Sequence, residues 1–224
     1  MTFEPGDIAA CYGTCRVSQM IRYGTASPFG PKRLRLGPSH VAILVDHPQY
    51  GTIWVESTTL SRLVCLVKHH HASGIQAHDP YDSVAEYEAA EGWVDVYRPT
   101  KLYRFTHEEN LFLTNLVVRL IGESVSYDAP GALLAGTKVF KLSRLFPGAD
   151  LNKIFCSELV AALLQRLNRM NKRNPAKYHP AGLIRQLVNQ GTYQFLERAE
   201  SPQPRLFSPP AEACTDVDEQ ERIA

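Results

Sequence analysis

The sequence lacks an excess of either charge. Its 224 residues hold 24 Lys and Arg against 23 Asp and Glu, a net of +1. That balance argues against a nucleic-acid protein held by bulk positive charge. No apolar run approaches the roughly 18 residues that a bilayer-spanning helix needs, so no transmembrane helix is expected. The start, Met1-Thr2-Phe3-Glu4-Pro5-Gly6-Asp7, has neither the basic nor the apolar stretch of a signal peptide, and the expectation is a cytoplasmic chain. The five cysteines are odd in number and, without a secretion signal, read as reduced thiols and not as a disulfide framework. What is there resembles an ordinary globular protein, with 44% hydrophobic and 21% charged residues. A chain this long can bury a core without disulfides or metals as staples.

Charge is unevenly spread along the chain. Residues 1–100 carry 8 basic and 10 acidic groups, residues 101–200 carry 14 and 8, and residues 201–224 carry 2 and 5. The expected domain is residues 1–198. The remainder, 199–224, has four prolines and an acidic end, and reads as a disordered tail that has little with which to bury itself.

The first hundred residues read as strands. Val41 to Val45 and Thr52 to Glu56 are β-branched and aromatic runs around the turn-forming Pro48-Gln49-Tyr50-Gly51, which predicts a hairpin. Both of its faces are apolar, which suggests a central position in a sheet. Further strands are expected at Leu63 to Val67, Gly74 to Ala77 and Trp93 to Tyr97. The second hundred residues read as helices. Thr106 and Glu109 fit a capping box, followed by Leu113, Leu116, Val117 and Leu120 at helical spacing and a stop at Gly122. Cys156, Leu159, Val160, Leu163, Leu167 and Met170 form one apolar stripe, which predicts a helix from Cys156 to Met170. A shorter helix is expected from Ala181 to Val188. Strands first and helices later indicate an α+β fold, an antiparallel sheet packed against helices.

Cys156 falls in the first turn of its helix. Free amides and the positive end of the helix dipole favour a thiolate there, and the same amides can form an oxyanion hole. The competing reading is a small apolar residue on the buried stripe. Cys65 reads as core and Cys214 as incidental in the tail. Cys11 and Cys15 could ligate a metal only with two further ligands.

A thiolate nucleophile needs a base, and the base needs an orienter. If Asp46 and Tyr50 flank a three-residue loop, His40 faces Glu56 across the hairpin on one sheet face. The carboxylate can then hold one imidazole nitrogen and leave the other for a thiol. Other readings remain: His40 as a polar strand cap, and Glu56 as a solvated glutamate, although an unpaired carboxylate in a central strand is costly. Other features compete. His69-His70-His71, with His78 nearby, read as a loop or strand end, because neighbouring strand residues point to opposite faces and seldom converge on one ion. No metal or cofactor is expected. The basic run Pro31-Lys32-Arg33-Leu34-Arg35 reads as a solvated loop or as a patch steering an anionic substrate or membrane surface. Arg166, Arg169, Lys172 and Arg173 complement a helix dipole. Tyr12 and Trp54 read as pocket or core.

Gly6-Asp7-Ile8, Ser39-His40-Val41-Ala42-Ile43, Val55-Glu56-Ser57 and Phe155-Cys156-Ser157-Glu158-Leu159-Val160 occur in an order that resembles the circularly permuted branch of the NlpC/p60 superfamily of papain-like cysteine hydrolases. Tyr127-Asp128, His179-Pro180-Ala181-Gly182-Leu183, and Gly74 to His78 followed by Trp93 to Val96 extend the resemblance to about residues 5–190. The resemblance implies a permuted papain-like fold with Cys156 as nucleophile, His40 as base and Glu56 as the third member of a triad. It also implies Tyr127 as a helper near the oxyanion, while Tyr12 is a candidate for lining a substrate pocket. Three functions follow as expectations. The first is a cysteine peptidase or amidase cleaving a peptide or acyl-amide bond, as in peptidoglycan. The second is a lipid acyl hydrolase or acyltransferase, and the third a non-catalytic binding module. Cell-wall substrates would need lysis, a dedicated export route or delivery by a virion. Membrane association has no direct support in the sequence, and no nucleic-acid partner is expected.

Overall fold

A computed structural model describes residues 1–59, 61–123 and 155–202. Six strands form one antiparallel sheet: β1 (Ile8–Tyr12), β2 (His40–His47), β3 (Gly51–Thr58), β4 (Gly74–His78), β5 (Trp93–Pro99) and β6 (Tyr193–Ala199), in the order β4-β3-β2-β1-β5-β6. Five α-helices accompany it among the described residues: α1 (Arg16–Gly24), α2 (Pro80–Ala89), α3 (His107–Gly122), α4 (Cys156–Arg166) and α5 (Pro180–Asn189). The architecture is α+β.

The central strands are apolar on both faces because both faces are covered. Ile8, Ala10, Val41, Ile43, Val45, Ile53 and Val55 pack with Leu113 and Val117 of α3, Leu159 and Leu163 of α4 and Leu183 of α5. The alternate positions Ala9, Cys11, Ala42, Leu44 and Trp54 pack with Val84 of α2. The strand period of two thus separates the residues of each strand into two layers.

The β2–β3 hairpin closes on His47 opposite Gly51, with Ile43 opposite Val55. The expected register is therefore displaced by two residues. The three-residue loop is Pro48 to Tyr50 and not one that begins at His47. Gly51 supplies the left-handed backbone, φ +68°, that such a loop uses at its end, and the His47 ring stacks on Tyr50. A slip of two leaves every side chain on its face, whereas a slip of one would have inverted them all.

Residues 63–67 are not a strand. Leu66 N–H donates to Ala77 O, but Cys65 O accepts from His69 N–H and the chain turns, with His69 at φ +58°. The run buries Cys65 alone while Val64 stays about half exposed; apolar content without alternation does not make a strand. His69, His70 and His71 lie exposed in this loop.

Both halves of the Thr106–Glu109 capping box are present, and Arg169 adds an ion pair to Glu109 and donates to Arg104 O. α4 stops at Arg166, short of the expected Met170, because Asn168 turns left-handed at φ +55°. Leu167 and Met170 still reach the core from beyond the helix end. The last strand ends at Ala199, and Ser201 N–H reaches Glu88. The expected tail began at 199, but Ala199 belongs to β6; residues 203–224 lie outside the described residues. Among those described, no helix is long and apolar enough to cross a membrane.

One ion pair ties the start of the first strand to its neighbour β5. Asp7 is fully buried and accepts two hydrogen bonds from Arg98 of β5, Nε to Oδ1 at 2.8 Å and Nη2 to Oδ2 at 2.7 Å. Arg98 also reaches Glu4 at 2.8 Å and Thr2 O. Burial pushes the Asp7 carboxyl up despite Arg98, which alone would lower it. Removing the guanidinium strands a buried carboxylate. Arg98→Met is expected to lower stability by about 3–5 kcal/mol in urea unfolding; a loss below about 1 kcal/mol would show that the pair is not a tie.

Candidate active site

Cys156 is the first residue of α4. Phe155 precedes it in extended conformation and, having no side-chain acceptor, cannot cap the helix. The thiol sits at the helix's positive end and is 3% exposed. Ser157 Oγ donates to Tyr178 O at 2.7 Å, which pins this turn to the segment leading into α5.

His40 opens β2, opposite Cys11 of β1. The hairpin register, extended to its open end, puts His40 opposite Thr58 and Glu56 opposite Ala42. His40 and Glu56 are therefore diagonal neighbours on one face instead of directly opposed. Nε2 of His40 donates to Glu56 Oε2 at 2.7 Å. Both side chains are largely buried. Glu56 does not engage Nδ1, and Cys156 is near enough to the ring to raise its basicity.

Charge and burial oppose each other here. Burial alone would lower the basicity of His40. The negative charge and hydrogen bond of Cys156, then the hydrogen bond and charge of Glu56, outweigh it and push the ring up to about 10. Burial would likewise raise Glu56, but the charge and hydrogen bond of His40, with a smaller contribution from His78, hold it below the usual carboxylate range. A buried carboxylate beside an imidazolium is stable where a lone one is not.

His78 is a residue the sequence reading left outside the site. It lies directly opposite Trp54, on the face of Glu56, and is 1% exposed. Its Nε2 stands 3.8 Å from Glu56 Oε1, and its Nδ1 is 3.3 Å from Val64 O. Glu56 is thus bracketed by two histidines, one on each oxygen. Gln76, opposite Glu56, donates to Thr58 O. The signal for both was the even spacing of Gln76 and His78 in a strand that the sequence did show; what was missing was the knowledge that β4 pairs with β3.

The other cysteines differ in setting. Burial first, then the charge of Glu56, pushes the Cys11 thiol well up, and Tyr87 of α2 contacts it. Cys65 Sγ accepts from Ala77 N–H, and Cys15 is half-buried near Ser18. Tyr12 is not brought to His40 and Glu56. Its ring stacks on Trp93 at 4.9 Å, and it is 2% exposed in the helix-side core. Trp54 is fully buried. Tyr127 lies outside the described residues. Among the described residues no cluster of His, Cys, Asp and Glu has the makings of a metal site.

A scan against protein-family models and a search of the curated proteins find no match to this chain.

The balance at His40 can be measured. Replacing Glu56 by Gln removes the negative charge that favours the imidazolium and leaves burial, which favours the neutral ring. Glu56→Gln is expected to lower the His40 value by about one to two pH units in an NMR titration. An unmoved value would mean that Glu56 does not act on the ring.

Proposed function

We propose that the protein is a cysteine hydrolase of an amide-type bond, with Cys156 as nucleophile, His40 as general base and acid, and Glu56 as orienter. The observation that carries this reading is the joint engagement of His40, whose Nε2 meets Glu56 at 2.7 Å and whose basicity is raised by Cys156 at a helix start. A purely structural buried cysteine has no need of a paired histidine. The resemblance of the His40, Glu56 and Cys156 segments to the circularly permuted papain-like hydrolases supports the same reading, and with it that fold.

In this mechanism Cys156 and His40 rest as a thiolate–imidazolium pair. The sulfur attacks the carbonyl carbon, and the negative charge that develops on oxygen meets the first-turn amides of α4. The tetrahedral species collapses as His40 passes its proton to the leaving amine, and a thioester remains on Cys156. His40, now neutral, takes a proton from water as the water attacks the thioester. The acid departs and the thiolate–imidazolium pair returns. Glu56 holds the ring in one tautomer throughout and keeps its own proton off.

The acyl donor is the open variable. A panel of muropeptides, acyl amides and acyl lipids, followed by product analysis, tests the reading. At least one amide is expected to be cleaved, with Cys156→Ala and His40→Ala each losing about 10³-fold or more in kcat. Cleavage that survives Cys156→Ala, or no turnover of any amide, would contradict it.

A further inference from the structure

The chain between β1 and β2 is built the wrong way round for an ordinary surface helix. A surface helix turns its apolar stripe to the core. No residue of α1 is buried. Its polar side chains make the attachments. Arg22 lies over the Trp93 ring at 5.0 Å and over Tyr12 at 5.5 Å, and reaches Gly13 O. Ser18, one turn earlier on the same face, contacts Cys15, and Gln19 donates to Thr14 O. Ile21 is partly buried, but the other large apolar side chains point away: Val17, Met20 and Tyr23 are 41%, 63% and 67% exposed. The loop that follows adds Phe29, 98% exposed, and Leu36, 40%.

The charge of this segment is equally one-sided. From Ile8 to Val45 the sequence contains no Asp or Glu and five Lys or Arg. Two of the five are used internally, Arg22 on the rings and Arg33 on Asp95 and the Phe195 ring. Arg16, Lys32 and Arg35 are exposed. Exposed apolar side chains among exposed cations, with no acidic neighbour in sequence, are the pattern of a helix that lies in a lipid–water interface. A protein partner would need acidic groups ringing an apolar pocket; an anionic bilayer supplies both features at once.

We infer that α1 and the loop to Leu36 form a docking surface for an anionic lipid bilayer, with Met20, Tyr23 and Phe29 entering the interface and Arg16, Lys32 and Arg35 meeting lipid headgroups. The segment leaves the sheet after Tyr12 and rejoins it at His40. Gly13 N–H donates to Ser39 Oγ at 3.2 Å and clasps its two ends together beside His40. A bilayer docked on α1 therefore lies next to the strand end that carries His40. The inference stands on exposure and charge and does not depend on the hydrolase reading.

Flotation of the full chain with vesicles tests it. Binding to phosphatidylcholine–phosphatidylserine vesicles is expected to exceed binding to phosphatidylcholine alone by on the order of ten- to hundredfold, from three cations near the surface, and to fall in high salt. The double variant Met20→Glu, Phe29→Glu should lose that binding while its circular dichroism and thermal midpoint stay as in the wild type, since both side chains are exposed. Arg16→Gln, Lys32→Gln, Arg35→Gln together should abolish the preference for anionic vesicles. Cys156→Ala should bind like the wild type, so failure of catalysis and failure of docking are read separately. Absence of binding to anionic vesicles would overturn the inference. So would binding that survives the double variant, or self-association in sedimentation that the double variant abolishes, which would put a second copy of the chain on this surface.

Discussion

The site depends on a carboxylate that the sheet cannot hold alone. Glu56 sits in β3 with Val55 and Ser57 buried on either side, and is 4% exposed itself. A charge in that place is tolerable only when paired. His40 Nε2 supplies the close partner at 2.7 Å and His78 a more distant one at 3.8 Å. The same pairing that makes Glu56 tolerable holds the ring of His40 by Nε2 and leaves Nδ1 unengaged by Glu56. Two helical features complete the arrangement. α4 begins at Cys156, and Ser157 anchors that beginning to Tyr178 O.

The two layers of the fold divide the work. Glu56, Gln76, His78 and Cys11 share the strand parity that packs against α2, while Cys156 comes from the helices on the other layer. His40 stands at the first position of β2, where the strand begins, so it can be reached from a neighbouring helix start without breaking the sheet. Cys11, directly opposite His40, differs from Cys156 in its setting. It neighbours the histidine in the sheet register, but it lies within β1 and not in a helix's first turn, and burial pushes its thiol well up.

Local chemistry was readable from the sequence, and pairing between distant segments was not. The Thr106–Glu109 box, the start of α4 at Cys156 and the strands at 74 and 93 follow from neighbours a few residues apart. The hairpin showed how a wrong register can leave a right conclusion: the displacement was even, so His40 and Glu56 stayed on one face. Leu63 to Val67 had strand composition without alternation, and tertiary contacts made it a loop over β4. β1 and β6 were missed. IAACY is short and small-sided, and β6 alternates weakly and gains its place only by pairing with β5 some hundred residues away. The Asp7–Arg98 pair, 91 positions apart, and the bracketing of Glu56 by His78 belong to the same class. No local pattern encodes them.

The central claim is that His40 activates Cys156. Substoichiometric iodoacetamide at pH 6, read by mass spectrometry of the labelled cysteine, tests it most directly and needs no substrate. On this account the raised basicity of His40 favours a reactive sulfur beside it at that pH. Ordinary thiols with values near 8.5 are then almost wholly protonated. The account predicts that Cys156 is alkylated before Cys11, Cys15 and Cys65, and that His40→Ala slows that labelling by on the order of tenfold or more. Labelling led by another cysteine, or a Cys156 rate unchanged by His40→Ala, would contradict it.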